Sequence, residues 1–265
     1  MKSNHEIDYK LYGEEMQFVE VELDPQESVI AESGSFMMMD DAIQMQTIFG
    51  DGSQPQQGGI FGKLLSAGKR VLTGESLFMT VFTNVGAGKR RVSFAAPYTG
   101  RIIPLDLFEL GGRVICQKDA FLCAAKGVSV GIELQRKLGT GLFGGEGFIM
   151  QKLEGDGMAF VHAGGMIVEK ELLPGQSLKV DTGCVVAYTG QVDFDIQFVG
   201  GIKNTIFGGE GLFFAVLRGP GKVWLQSLPI SRLASRILRY AGPAGRKEEG
   251  SILGGLGNLL DGDGY

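Results

Sequence analysis

The chain has 265 residues, 44% of them hydrophobic and 21% charged, with a formal net charge of −5. That balance opposes a nucleic-acid binder, which needs a basic face to neutralise phosphates, and no apolar run approaches the ~20 residues that span a bilayer. Cys116, Cys123 and Cys184 form no CxxC pair and MKSNHEIDYK has no apolar h-region, so neither a disulfide framework nor a secretory signal is expected, and the cytoplasm is the expected setting.

Glycine supplies 43 residues, roughly twice the usual share, clustered between short apolar runs as in a fold of many tight turns. In chain order, Val19, Val21 and Leu23 alternate with Glu20 and Glu22, the period-two signature of a half-buried strand. Phe36–Met39, with Met45, is a methionine-rich stretch; core filling is the default reading, and an adaptable partner surface is the alternative. Gly50–Gly59 (GDGSQPQQGG) has the composition of an exposed loop. Leu178 and Val180 alternate with Lys179 and Asp181, and Leu212–Leu217 is apolar throughout, as in a strand covered on both faces. The triplets at 155–157 (GDG) and 219–221 (GPG) mark turns between strands. A helix is expected over Ser231–Tyr240, capped by Ser231, with Leu233, Ile237, Leu238 and Tyr240 on or near one side and Arg232, Arg236 and Arg239 largely opposite. The remainder, with SILGGLGNLL, reads as a mobile tail.

Internal similarity organises these elements. FGGEG occurs at Phe143–Gly147 and again at Phe207–Gly211, 64 residues on, and the text that follows also matches. The same offset carries Val114, Cys116, Asp119 and Phe121 onto Leu178, Val180, Gly183 and Val185. A weaker first copy aligns Gly74-Glu75 with Gly145-Glu146, and Val29, Ala31, Gly34 and Phe36 with the Val114 block; its surplus residues fit the Gly50–Gly59 loop. The expected organisation is a first unit over 1–104, a second over 105–170, a third over 171–230, and a helix and tail over 231–265.

The blocks GESLFMTVFT, FGGEGFIMQKLEGDGMAFVHAGG and FGGEGLFFAVLRGPGKVWLQS resemble the family named after altered inheritance of mitochondria, member 24, over roughly Tyr9 to Leu228. The resemblance implies an all-β chain with three short double-stranded β-helix units, like that of the tryptophan RNA-binding attenuation protein, followed by the C-terminal helix. Mitochondrial members are linked to inner-membrane organisation, and the family brings no established catalytic residues.

Glu75, Glu146 and Glu210 occupy one position in three copies, flanked by Gly74, Gly145, Gly147, Gly209 and Gly211. A converging carboxylate site for a hard cation such as calcium is one reading. A glutamate accepting backbone N–H bonds in a tight turn is the other, preferred because a repeated residue is first explained by a repeated fold and no Asp or Asn ladder accompanies it. GTGLFG at Gly139–Gly144 matches a dinucleotide pattern but precedes a strand-like run, where that pattern needs a helix. Gly62 and Gly68-Lys69-Arg70 fail the phosphate-loop spacing, and Lys63, Lys69 and Arg70 read as a solvated edge. His5 and His162 are the only histidines and only His162 lies within the repeats, so cupin-like metal chemistry is not expected and His162 reads as a strand residue. Cys116 and Cys123 read as small core residues rather than a reactive pair.

No catalytic, metal or cofactor site is therefore expected. The leading expectation is a non-enzymatic interaction or scaffold protein with an unidentified protein partner; self-association and peripheral membrane contact are both compatible with the sequence. A small-ligand-binding β module is the alternative, and RNA binding, by fold analogy alone, ranks third.

Overall fold

The computed structural model describes residues 4–49, 78–136, 148–198 and 213–241. Two units are distinguished, Met1–Ser231 and Arg232–Tyr265, and all the sheets belong to the first. Its strands are β1 (Asp8–Tyr12), β2 (Phe18–Leu23), β3 (Ser28–Glu32), β4 (Phe36–Met39), β5 (Ile43–Phe49), β6 (Phe78–Asn84), β7 (Arg90–Ala95), β8 (Gly100–Asp106), β9 (Arg113–Gln117) and β10 (Phe121–Ala125). They continue with β11 (Ser129–Arg136), β12 (Phe148–Glu154), β13 (Met158–Gly164), β14 (Ile167–Leu172), β15 (Ser177–Asp181), β16 (Val185–Thr189), β17 (Asp193–Phe198), β18 (Phe213–Arg218) and β19 (Gly221–Gln226). Short 3-10 turns, Lys118–Ala120 and Thr182–Cys184, precede β10 and β16. The single helix among the described residues, α1, runs Ile230–Ala241. Among the described residues the chain is thus all-β, with one helix near its C-terminus. That helix starts directly after Pro229, so Ser231 lies within its first turn instead of capping it.

Local sequence explains the strands. β2 buries Val19, Val21 and Leu23 completely and leaves Phe18, Glu20 and Glu22 half-covered, the expected alternation. β18 buries Ala215, Val216 and Leu217 but leaves Phe214 exposed, so it is covered on both faces over only part of its length. The GDG and GPG turns join β12 to β13 and β18 to β19, with Gly155 and Gly221 at φ values of +147° and +141°.

Pairing is antiparallel between all the named strands. Two six-stranded sheets run β5-β6-β3-β10-β13-β8 and β11-β12-β9-β16-β19-β14. A four-stranded sheet runs β1-β2-β7-β4, and a three-stranded one β15-β18-β17. One pairing order therefore recurs along the chain: β5-β6-β3, then β11-β12-β9, then β17-β18-β15. Two cores fill the interior. The larger gathers Phe82, Phe94, Phe160, Leu105 and Leu122, and the smaller Phe148, Met150, Tyr188 and Leu217.

One expectation is corrected here. Phe36–Met39 does not fill the core: it forms β4, the last strand of its sheet, and all four side chains are exposed, Met37 by 48%. The residues are apolar, but an edge position leaves them only one neighbouring strand, β7.

Candidate functional site

The repeated turn residues Gly74, Glu75, Gly145, Glu146, Gly147, Gly209, Glu210 and Gly211 lie outside the described residues, as do Gly139–Gly144, Gly50–Gly59, Lys63, Gly68-Lys69-Arg70 and the tail. The structure directs attention to a cleft of about 430 Å³ that the sequence did not single out. Its walls come from distant segments: the turn after β3 (Glu32 to Ser35), Pro97-Tyr98 before β8, the 3-10 turn Lys118–Ala120, the start of β10, and His162 on β13.

Each wall is fixed by main-chain logic. The turn after β3 uses Gly34 at φ +91°, and the Ser35 hydroxyl donates to the Glu32 carbonyl (2.8 Å) and toward the Leu122 carbonyl (3.4 Å). Antiparallel pairing of β13 with β8 places His162 opposite Ile102. Tyr98 meets the imidazole edge-on, with centroids 4.4 Å apart at 88°. Gly100 leaves room for the ring: a Cβ there would sit 2.7 Å from His162 Nε2.

The electrostatics are unusual. His162 is 1% exposed and neither ring nitrogen has a hydrogen-bond partner. Burial pushes its pKa down to about 4, so it is neutral at pH 7; the main chain of Tyr98 opposes that shift weakly, without reaching hydrogen-bonding geometry. Burial pushes Glu32 up to about 7, with Asp119 reinforcing the shift and Lys118 opposing it. Tyr98 is pushed up to about 12, by burial first and then by Asp119. A neutral imidazole, a carboxyl that titrates near neutrality and a Lys-Asp turn thus face one cleft. Perturbed groups clustered in this way mark a candidate binding site.

The other singled-out residues have structural surroundings. Cys116 on β9 and Cys123 on β10 are fully buried, and burial pushes both thiols up, so they are protonated core residues as expected. His5 is bound locally, its Nδ1 accepting from the Ser28 amide at 2.9 Å. Among the described residues no group of three or more His, Cys, Asp or Glu side chains could hold a metal ion. Sequence reasoning missed Glu32, Tyr98 and Lys118. A signal was present at Lys118 and Asp119, where the matched copy has Thr182 and Gly183: two charges replace two neutral residues in the corresponding 3-10 turn.

Antiparallel sheets, two of them six-stranded, and, among the described residues, one helix near the C-terminus define an all-β protein with a cleft lined by both apolar and titratable side chains. The model of the family described as mitochondrial biogenesis AIM24 matches residues 9–228, and the chain belongs to that family. It is 33% identical over 231 residues to an uncharacterized protein of Streptococcus pyogenes serotype M6, covering 85% of this chain and 88% of that relative. Its fold is similar to the crystal structure of a Streptococcus pyogenes protein, with a TM-score of 0.69 and 24% identity, covering 88% of this chain and 99% of the other. Among the described residues no helix is long and apolar enough to cross a membrane.

Proposed function

We propose that this protein is a non-catalytic interaction or scaffold protein of the cytoplasm. The observation that carries the reading is β4: Phe36, Met37, Met38 and Met39 are all exposed on one edge strand. Contiguous exposed apolar surface is a feature of interaction sites, and methionine adapts to varied partners. The protonated core thiols and the neutral, enclosed imidazole of His162 support a non-catalytic reading, since a nucleophile needs an accessible base or a lowered pKa. The family's description, mitochondrial biogenesis, fits an assembly role. The test is recovery of tagged full-length protein from its native cells. A stoichiometric complex retained by the wild type and lost on Met37→Glu is expected; wild-type protein recovered alone after cross-linking would end this reading.

A small-ligand module is a second reading, favoured by the two unpartnered ring nitrogens of His162 at the cleft wall. A thermal-shift screen of metabolites should then give a hit that His162→Phe abolishes. A screen with no such hit removes this alternative.

A further inference from the structure

Both six-stranded sheets are built the same way. In the first, β5-β6-β3 is joined to β10-β13-β8 through the pair β3·β10; in the second, β11-β12-β9 is joined to β16-β19-β14 through β9·β16. Two half-sheets are left over, β17-β18-β15 and β4-β7-β2-β1. Placed edge to edge, they reproduce the same order, with β15 and β4 as the two sides of a third junction that one chain leaves unmade.

The register agrees. β10 pairs with β13 through an irregularity between Phe121 and Cys123; β16 pairs with β19 through one between Val185 and Ala187; β4 pairs with β7 through one between Phe36 and Met38. Met38 is therefore the counterpart of Cys123 and Ala187. Across the two junctions that are made, Cys123 faces Ala31 and Ala187 faces Cys116. The counterpart of Ala31 and Cys116 on β15 is Val180, by the internal match of the sequence.

Burial separates the made junctions from the unmade one. β10 and β16 are buried at every residue, whereas β4 is exposed at every residue. β9 is buried at four of its five residues, and β15 at none. Edges that stay monomeric are usually blunted by Lys or Pro, yet β4 reads Phe-Met-Met-Met.

We propose that β4 of one copy pairs antiparallel with β15 of a second copy, Met38 opposite Val180 and Met39 opposite Lys179, so that the protein assembles head to tail. The interface is heterologous, using two different edges of the same chain. This proposal rests on the interaction reading above and names a copy of the chain itself as the partner.

The test uses the purified full-length chain, of 28.4 kDa. Native mass spectrometry should give a multiple of that mass. Cross-strand pairs lie about 4.5–5.5 Å apart at Cα, within disulfide reach. Oxidised Met38→Cys/Val180→Cys protein should accordingly run as a ladder of linked chains that neither single variant gives. Met39→Lys, which sets two lysines opposite each other, should dissociate the assembly, and Lys179→Glu in the same chain should restore it. A monomeric wild type, an assembly without the ladder, or cross-linking confined within single chains would each overturn the proposal. If the wild type is monomeric but still retains a different protein from cells, the interaction reading stands and only self-assembly fails.

Discussion

His162 and Glu32 line one cleft and respond to pH in opposite directions. Burial lowers the His162 pKa from 6.5 to about 4, so the unfolded chain binds that proton more tightly; the contribution to stability is complete above 6.5 and is lost as pH falls toward 4. Glu32 is raised from 4.5 to about 7, so the folded chain holds its proton; that contribution is complete below 4.5 and is lost as pH rises through 7. The two slopes oppose each other between pH 4.5 and 6.5. Glu32→Gln should leave stability rising with pH across that window, steeper than wild type by up to about 1.4 kcal/mol per pH unit in urea titrations. Equal slopes would show that Glu32 titrates normally. His5, also lowered, contributes to both proteins and cancels in the difference. Gly100→Ala offers a second check. Its Cβ would overlap the Ala163 carbonyl and press on His162, costing about 2–4 kcal/mol in thermal or chemical denaturation. At Gly34, nothing lies within 4 Å of an added Cβ, so alanine there should cost only the φ +91° strain, about 1–2 kcal/mol. At this scale the sequence identified His162 as a strand residue but not its cleft. The cleft's walls come from parts of the chain that no local pattern brings together.

Strands were legible where their burial alternates or is continuous, as in β2, and least legible where position in the sheet decides exposure, as in β4. The turn between β12 and β13 shows another limit. Asn4 clamps it from far along the chain: its amide donates to Asp156 Oδ1 at 2.8 Å, and its Oδ1 accepts from the Asp156 amide at 2.6 Å. The glycines of that turn were readable, but the N-terminal segment that covers them was not. Asn4→Ala should cost about 1–3 kcal/mol, the usual range for stranding a part-buried partner, whereas a free N-terminal segment would show no change in urea midpoint. On β19, Trp224 is the sole tryptophan; it is 3% exposed and donates Nε1–H to Glu169 Oε2 on β14 at 3.0 Å. Its emission therefore reports specifically on the β14·β19 end of the second six-stranded sheet.

The large core spans residues from Ile7 to Trp224, and each six-stranded sheet draws on chain segments far apart in sequence. Unfolding should accordingly be a single transition, with Trp224 emission and far-ultraviolet circular dichroism superimposing in urea. Curves separated in midpoint would show that the segments unfold independently. Residues 105–170 expressed alone should stay unfolded, because β9 and β10 would lose β16 and β3. The sequence match found the recurring text but not these pairings, since a strand's neighbour in the next segment leaves no mark in either segment's own pattern. The β3·β10 junction, with Ile30 opposite Ala124, has a further consequence during translation. β3 emerges from the ribosome well before its partner exists, a delay of roughly 5–20 s at 5–20 residues per second. Throughout that interval a Val-Ile-Ala strand has at least its β10 side unmatched, so the nascent chain should be a client of ribosome-associated chaperones until β10 arrives.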